Sequence, residues 1–300
     1  MLELFVVSSE SKKKKLEYLA AGFLVVLFCL LILSFSRKGI YSNQLGINMV
    51  VVSDNGIALA LVRPKENYLV WIKLPLAMRI KVDNGDAVFP VYTFWKYAEK
   101  ERGPLDLVSR SISSTLGVIL PSAIIINGSL TPENLLGSLH SLGLNTNLTI
   151  RDRIMLRKDL VSLVSTRKTL EVDIPKAALV KKTDPDGVEF LEVNSIVNLW
   201  TKNRFVFEAL LGENSDLSIY NLSGVSGKGT LLSRQMESAG ARVLVVDSKY
   251  DGEMVAGKGC LYRTSSEYFF TEYLLEKFMK CKDISSKNSK VGEGIEVWLL

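Results

Sequence analysis

The sequence predicts a mixed α/β protein, of the α+β kind, with a single transmembrane helix near its N-terminus. Three observations lead to this fold class. An apolar run without charge occupies residues 18–35. Short strand-like runs separated by turn residues follow it, together with segments whose apolar residues have helical spacing. Residues 216–300 then alternate in the order β-α-β-β-α-β, which predicts a ferredoxin-like two-layer sandwich.

The run at residues 18–35 is predicted to be a membrane anchor. As a helix its eighteen residues would rise about 27 Å, close to the roughly 30 Å thickness of a hydrocarbon core. Residues 12–15 are all lysine, whereas only Arg37 and Lys38 follow the run, so residues 1–17 are expected in the cytoplasm and the remainder outside the cell membrane. A signal peptide cleaved near Ser34 and Ser36 is the alternative. The length of the apolar run favours the uncleaved anchor.

The composition indicates folded domains and excludes several classes of function. The 300-residue chain is 47% hydrophobic and 23% charged, with a formal net charge of +5, which is not typical of disorder. No basic stripe with interleaved aromatic residues is present in the sequence, so nucleic-acid binding is not expected. The single histidine, His140, has no evident orienting partner, and no His/Cys group has zinc-site spacing. Neither a catalytic histidine nor a resident metal or other cofactor is therefore predicted.

A first domain is predicted at residues 48–212, after a linker at 36–47. The turn signal Asp54-Asn-Gly56 indicates an antiparallel meander or hairpins in its N-terminal part. Thr131 is the predicted N-cap of a helix that has Pro132 in its first turn. The turn at 184–187 predicts a hairpin that forms a wing, and the domain boundary is placed at 212–215. The predicted strands are 49–53, 57–62, 68–74, 79–82, 121–127, 170–174 and 188–193, and the predicted helices are 92–100, 105–116, 131–143, 150–167 and 195–207.

The C-terminal domain at residues 216–300 contains a glycine-rich turn between its first strand and first helix. The order Gly224-Val-Ser-Gly-Lys-Gly229 departs from a phosphate-binding P-loop, which requires Gly, four residues and then Gly-Lys-Ser/Thr. A tight turn that needs positive φ angles is one interpretation. The other is a ligand site, because the N–H groups at a helix N-terminus attract anions. The candidate ligand-binding residues are Asn221, Ser223, Gly224, Ser226, Gly227 and Lys228.

This turn and its surroundings resemble the C-terminal domain of the LytR/CpsA/Psr family of bacterial cell-envelope proteins. The resemblance rests on Ser218-Ile-Tyr-Asn-Leu-Ser-Gly-Val-Ser-Gly-Lys-Gly229, on the helix that follows, and on Ser238-Ala-Gly-Ala-Arg-Val-Leu-Val-Val-Asp247. Leu222 replaces the first glycine of the family pattern, and Gly229 stands where a small residue is usual. The resemblance implies a wall-associated protein with a C-terminal binding module.

The first domain is similar in layout to the catalytic domain of the same family, but it lacks the charged residues. Leu76 and Ala77 follow Pro75 where the family has an Arg-Asp pair, and Asn55-Gly56 stands where the family has Asp-Thr. In the family those groups would hold Mg²⁺ and a pyrophosphate, which apolar side chains do not bind. The resemblance therefore implies a degenerate, non-catalytic first domain.

Three functions remain open. The first is a membrane-anchored envelope protein that binds peptidoglycan, another wall glycan or an envelope partner without turning over a substrate. The second is an active phosphotransferase that attaches glycopolymers to the wall, with Mg²⁺ as cofactor and an anion site built from Arg79, Arg151 and Arg153, with Asp83 as a further candidate. The third is a structural subunit that makes protein contacts only. Arg151 and Arg153 also fit a solvated helix face.

Cys260 and Cys281 lie in the C-terminal domain, whereas Cys29 lies inside the predicted anchor. In the predicted order of elements, the start of the third strand and the end of the second helix are neighbours. A disulfide is therefore expected to be possible outside the cytoplasm. Two buried thiols are the alternative.

Overall fold

The computed structural model describes residues 19, 22, 39–41, 45–83, 85–141, 143–202, 204–252, 257–264, 268–285 and 294–300. The predicted anchor at 18–35 lies outside the described residues, apart from Leu19 and Gly22. Within the described part of the chain, no helix has both the length and the apolar character needed to cross a membrane.

The first part of the chain forms an α/β unit around a five-stranded sheet. Its elements in chain order are β1 (Ile47–Ser53), β2 (Gly56–Arg63), β3 (Tyr68–Lys73), β4 (Arg79–Lys81), β5 (Val88–Pro90), α1 (Val91–Ala98), α2 (Pro104–Leu116), β6 (Ser122–Ile125), α3 (Pro132–Ser138), α4 (Ile150–Ser165), β7 (Thr169–Glu171), a short 3₁₀ turn (Lys176–Ala178), β8 (Leu179–Thr183), β9 (Glu189–Val193), α5 (Ile196–Lys202) and α6 (Glu208–Glu213).

The sheet has the order β6-β1-β2-β3-β7. Strands β1, β2 and β3 form the predicted antiparallel meander, with Ser53 opposite Gly56 across the turn signal. Strands β6 and β7 add to its two sides in parallel orientation. Strand β4 pairs with β5 and β8 pairs with β9, each as a separate two-stranded antiparallel unit. The second of these is the predicted wing.

Helices cover both faces of this sheet, so its strands are apolar on both sides. On one face Val50, Leu59 and Ile72 pack against side chains of α1 and α2, such as Phe94 and Ile112. On the other face Met49, Ala60 and Trp71 pack against α3 and α4 through residues that include Leu135, Leu156 and Leu160. The result is a three-layer arrangement of helices, sheet and helices.

Helix α3 begins where its local capping residue predicted. The Thr131 hydroxyl accepts a hydrogen bond from the Asn134 N–H at 3.3 Å, which confirms the predicted cap of α3. Three predictions extend clearly too far. The helix predicted at 131–143 ends at Ser138. The predicted strand at 170–174 ends at Glu171, and the helix predicted at 195–207 ends at Lys202. Since Phe205 and Phe207 are buried, the chain beyond α5 leaves helical geometry to insert these aromatic rings into two different cores.

The last part of the chain forms a second five-stranded sheet. Its elements are β10 (Asp216–Asn221), α7 (Lys228–Ala239), β11 (Arg242–Asp247), β12 (Cys260–Thr264), α8 (Phe269–Lys277), β13 (Lys282–Asp283) and β14 (Ile295–Leu299). The sheet order is β11-β10-β14-β12-β13. Strand β14 is parallel to β10 and antiparallel to β12, and each helix connects two adjacent parallel strands.

The prediction of a ferredoxin-like sandwich is wrong in its strand pairing, although the α/β class holds. A split βαβ arrangement would place another strand between β10 and β11. Here those strands pair directly, since α7 begins tightly against both of them. A Cβ atom on Gly229 would lie 3.1 Å from Asn221 Cβ on β10 and 3.2 Å from Val246 Cγ1 on β11. Both helices pack on one face of the sheet, where Leu232 and Met236 share a core with Leu274.

Candidate functional site

The glycine-rich turn after β10 is held in shape by its own polar side chains. The Asn221 amide donates to the Val225 carbonyl at 2.9 Å, and the Ser223 hydroxyl donates to Asn221 Oδ1 at 2.7 Å. The Val225 N–H in turn donates to Ser223 Oγ at 3.2 Å. Gly224 adopts a φ of 71°, which side chains other than glycine rarely tolerate. Asn221 and Ser223, both predicted as ligand residues, therefore act first as parts of the turn.

Helix α7 begins without a side-chain cap. Its N-cap residue, Gly227, has a φ of 81°, and its carbonyl accepts the first helical hydrogen bond from the Leu231 N–H at 2.9 Å. The N–H groups of Lys228, Gly229 and Thr230 belong to the first turn, where a helix supplies no acceptor for them. This arrangement leaves backbone donors available to a ligand.

A shallow depression of about 480 Å³ lies at this point, beyond the carboxyl ends of β10 and β11. The glycine-rich turn lines one side, and the end of β11 lines the other. Asp247 contributes a carboxylate, whose Oδ1 accepts the N–H groups of Ser248 at 2.6 Å and Lys249 at 3.1 Å. The depression thus lies at the carboxyl edge of two adjacent parallel strands, next to the start of the helix that connects them. The lining residues are Asn221, Gly224, Val225, Ser226, Gly227, Gly229, Thr230, Val246, Asp247 and Ser248.

Tyr220, Tyr250 and Trp298 form an aromatic cluster on the face of the sheet opposite α7. Tyr220 and Tyr250 are close in sequence to residues that line the depression. The ring centroid of Tyr250 is 4.7 Å from that of Tyr220 and 5.4 Å from that of Trp298. Arg263 pairs with Glu296 at 2.6 Å beside the same rings. Burial raises the pKa of Tyr220 above its ordinary value, and the Glu296 carboxylate raises it further. Asp247 and this cluster were not among the predicted site residues; the end of the apolar run at residues 243–246, which is mostly exposed in the structure, was the available signal for Asp247.

The candidate anion-site arginines lie on opposite faces of the first sheet. Arg79 forms an ion pair with Asp184, and its guanidinium lies 3.5 Å from the ring centroid of Phe190 on the wing. Arg153, on α4, donates to the carbonyls of Leu139, at 3.0 Å, and Ser141. Arg151 is exposed on the same helix. The sheet separates Arg79 from the other two, so the three side chains do not converge on one ligand.

Asp83, the further candidate, pairs with Arg110 at 3.2 Å, and its N–H donates to the Ser111 hydroxyl at 2.9 Å. It adjoins α2 and lies apart from the helix that carries Arg151 and Arg153.

Two segments that the family resemblance associates with metal and pyrophosphate do meet in the structure. A Cβ atom added to Gly56 would lie 3.1 Å from Leu76 Cδ2, so the turn after β1 touches the segment after Pro75. The meeting point carries the Leu76 side chain, which is 52% exposed. Ala77 is held by its carbonyl, which accepts the Leu191 N–H at 3.0 Å. Among the described residues, no group of three or more His, Cys, Asp or Glu side chains is placed to hold a metal ion.

Cys260 and Cys281 form a disulfide, with sulfur atoms 1.94 Å apart and Cα atoms 4.4 Å apart. The bond joins the start of β12 to the residue that precedes β13. It therefore closes the β12-α8-β13 unit on itself.

No protein-family model matches the chain, and no curated protein matches its sequence. Among solved structures, TagT from Bacillus subtilis is similar over 53% of this chain and 89% of its own, with 13% identity and a TM-score of 0.38. A LytR-CPS2A-psr family protein, YwtF (TagT) with bound octaprenyl pyrophosphate lipid, is similar over 54% and 89%, with 13% identity and a TM-score of 0.38. A transcriptional regulator from Enterococcus faecalis is similar over 51% and 84%, with 10% identity and a TM-score of 0.39.

The family to which the sequence resemblance points is thus among the solved structures that the chain is similar to. Each of these likenesses covers about half of the chain. They support no conclusion about activity, substrate or partner.

Proposed function

We propose that this protein is a membrane-anchored, extracytoplasmic envelope protein of LytR/CpsA/Psr type that binds wall glycan without chemical turnover. The observation that carries the proposal is the depression between the glycine-rich turn and the end of β11. It combines the backbone donors at the start of α7, the hydroxyls of Ser226 and Thr230, and the carboxylate of Asp247. Glycans carry hydroxyl groups that both donate and accept hydrogen bonds. The depression offers acceptors and donors, so it can bind both sides of such hydroxyl groups.

A glycan fits this depression better than a simple anion does. The helix N-terminus favours negative charge, but Asp247 lines the same depression and opposes it, and Lys228 is not among the lining residues. A sugar hydroxyl can donate to the Asp247 carboxylate and accept from a backbone N–H at the same time. Val225 and Val246 supply apolar contact for the carbon faces of a sugar ring.

The non-catalytic part of the proposal rests on the meeting point of Gly56 and Leu76. A phosphotransferase of this kind needs anionic ligands for Mg²⁺ and cationic groups for a pyrophosphate at one place. In this chain the Leu76 side chain lies where the two segments meet. Arg79, one of the candidate cations, forms an ion pair with Asp184 and lies against the ring of Phe190.

Co-sedimentation of the full chain in mild detergent with purified peptidoglycan, with and without attached glycopolymer, tests the proposal. Asp247→Ala removes an acceptor, and we expect about a tenfold loss of binding, since a hydrogen bond to a charged group is worth about 1.5–3 kcal/mol. Asp186→Ala is the matched control, because Asp186 is also an exposed carboxylate in a turn, on the wing. Equal binding by the Asp247→Ala and Asp186→Ala variants would show that the glycan does not bind in this depression.

The phosphotransferase alternative is tested with the same preparation. Mg²⁺-dependent release of polyprenyl phosphate from a lipid-linked glycopolymer would overturn the non-catalytic proposal. We expect no release above the level of a heat-inactivated sample.

A further inference from the structure

Helix α4 presents an apolar stripe to the solvent that is flanked by basic residues on both sides. The stripe consists of Ile150, Ile154 and Val161, which are 46%, 57% and 42% exposed. Their spacing of four and seven residues places them on one line along the helix. At 100° per residue, Arg151 and Lys158 lie on one side of this line, and Arg157 and Arg153 lie on the other. Leu156, Leu160 and Leu163 form the opposite face and are buried.

Both acidic residues of α4 are engaged with the segment that enters the fold at residues 39–41. The carboxylate of Asp152 accepts the N–H groups of Ile40 at 3.1 Å and Tyr41 at 3.0 Å, and it is almost fully buried. The Tyr41 hydroxyl donates to Asp159. Both carboxylates therefore lie on the side of α4 away from the stripe, and the only charged residues on the exposed face are basic.

The entering segment is fixed tightly to the flank of α4. A Cβ atom on Gly39 would lie 2.0 Å from Asp152 Oδ1, so only glycine allows this approach. The Tyr273 hydroxyl, from α8, donates to the Gly39 carbonyl. Residues 39–41 are thus held by both halves of the protein against the helix that carries the stripe.

The predicted anchor ends four residues before this clamp. Four Cα-to-Cα steps span at most about 15 Å, so Gly39 lies within about 15 Å of the end of an apolar helix at residues 18–35. Each headgroup layer of a bilayer is roughly 5–8 Å thick. With the anchor in a bilayer, the first turn of α4, where Asp152 holds residues 40 and 41, would therefore be close to the membrane surface.

We propose that the exposed face of α4 docks on the phospholipid surface of the membrane that holds the anchor. Ile150, Ile154 and Val161 enter the headgroup layer, while the exposed Arg151 and Lys158 pair with anionic lipid phosphates. This inference rests on the membrane anchorage in the proposed function. It gives α4 a role of its own: the helix fixes the orientation of the folded part relative to the bilayer, which a flexible tether alone does not do.

Cysteine accessibility in lipid nanodiscs tests this docking with the full chain. In a Cys29→Ser background the remaining native cysteines are bonded to each other, so an introduced cysteine is the single free thiol. Ile154→Cys reports the stripe. Val188→Cys is the matched control, since Val188 is an apolar residue of similar exposure, 54%, next to the wing turn. Both are treated with a charged, water-soluble maleimide in discs of phosphatidylcholine with or without an equal share of phosphatidylglycerol.

We expect Ile154→Cys to react about tenfold more slowly than Val188→Cys in the anionic discs, since each basic residue at an anionic surface changes occupancy about fivefold. Adding Arg151→Glu and Lys158→Glu should restore the faster rate. Equal rates in chains that stay with the discs after a carbonate wash would overturn the docking and leave the anchor intact. Release of the chain by that wash would overturn the anchor and the docking together, whereas the glycan-binding assay is independent of both.

Discussion

At the scale of single residues, Arg63 joins the first sheet to the segment that follows α5. Its guanidinium is buried and donates to Asn48 Oδ1 at 2.6 Å, to the Val206 carbonyl at 2.9 Å and to the Val62 carbonyl at 3.2 Å. It also lies 5.0 Å from the ring centroid of Phe207. Burial lowers the pKa of Arg63 to about 10, so the group remains charged at neutral pH. A buried cation that donates from both terminal nitrogens thus holds together segments distant in sequence.

Replacement of Arg63 by methionine keeps the aliphatic volume and removes these donors. We expect Arg63→Met to lower the free energy of unfolding by about 3 kcal/mol, because buried oxygen atoms lose their partners. Urea unfolding followed by circular dichroism measures this change. Arg102→Met, at an exposed loop position, should change it by less than about 0.5 kcal/mol. A similar small effect for both variants would contradict the structural role.

The surroundings of Glu66, in the same region, predict that the free energy of unfolding depends on pH. Burial raises the pKa of Glu66, and the hydrogen bond and like charge of Glu208 raise it further, against the opposing charge of Arg63. A carboxyl with a raised folded-state pKa contributes its full stability below its ordinary pKa of about 4.3, and this contribution is lost as pH rises through the raised value.

We therefore expect Glu66→Gln to be more stable than the parent at pH 7, by less than about 1 kcal/mol because the pair is partly exposed. The difference should vanish below about pH 4. Urea unfolding across this range measures it, and a difference that stays constant with pH would count against the raised pKa.

At the scale of elements, the C-terminal sheet consists of two βαβ units that point in opposite directions. Strand β14 joins them, parallel to β10 and antiparallel to β12. In the first unit, α7 is seated by the close approach at Gly229. In the second unit, β13 has only two residues, and the disulfide fixes the chain just before it. The covalent bond compensates for the few hydrogen bonds that so short an edge strand forms.

Removal of this disulfide should weaken the second unit. We expect the double variant Cys260→Ser/Cys281→Ser to lose about 3 kcal/mol of unfolding free energy, as the entropy of closing a loop of this size predicts. Urea unfolding of the variant and of the parent under non-reducing conditions measures the loss. Identical midpoints for the two proteins would show that the bond adds nothing to the folded state.

At the scale of the whole molecule, the two sheets are connected through a shared core. Leu45 and Ile119, from the first unit, and Phe207 and Leu210, from the connecting segment, pack with residues of α7 and α8. The Gln235 amide on α7 also donates to the Val118 carbonyl at 3.4 Å. Burial of apolar side chains from both units in one cluster couples their stabilities.

This coupling predicts a single unfolding transition for the described part of the protein. Ile119→Ala removes a buried side chain at the junction of the two units. We expect it to lower the free energy of unfolding by about 2–5 kcal/mol and to shift the unfolding transitions of both units equally. Tryptophan fluorescence reports mainly the first unit, which contains Trp71, Trp95 and Trp200, and to a smaller part Trp298 in the second sheet, whereas circular dichroism reports the backbone of both. Two separate transitions, or a shift of one signal only, would show that the units unfold independently.

Local signals in the sequence predicted many of the elements correctly. The turn at Asp54-Asn-Gly56 and the cap at Thr131 each depend on neighbouring residues, so they appear where expected. The partners of the strands depend on contacts between distant residues. For this reason β10 and β11 were expected to be separated and are adjacent instead.

Some residues of the candidate site were likewise identified by local sequence signals, whereas others are brought together only by contacts between distant residues. The glycine-rich turn was identified from residues 221–228 alone, because positive φ angles and a helix start are local properties. Asp247 joins it only because β11 pairs with β10, and Arg79 and Arg153 are kept apart only because the first sheet lies between them.

By itself the sequence determined the α/β class, the apolar run at 18–35, the glycine-rich turn and the neighbourhood of Cys260 and Cys281. Each of these follows from short-range periodicity, residue chemistry or chain order. Tertiary structure decided which strands pair, that both units share one core, and that residues 39–41 are clamped to α4. These features depend on apolar burial and hydrogen bonds between residues far apart in the chain, which a local pattern does not encode.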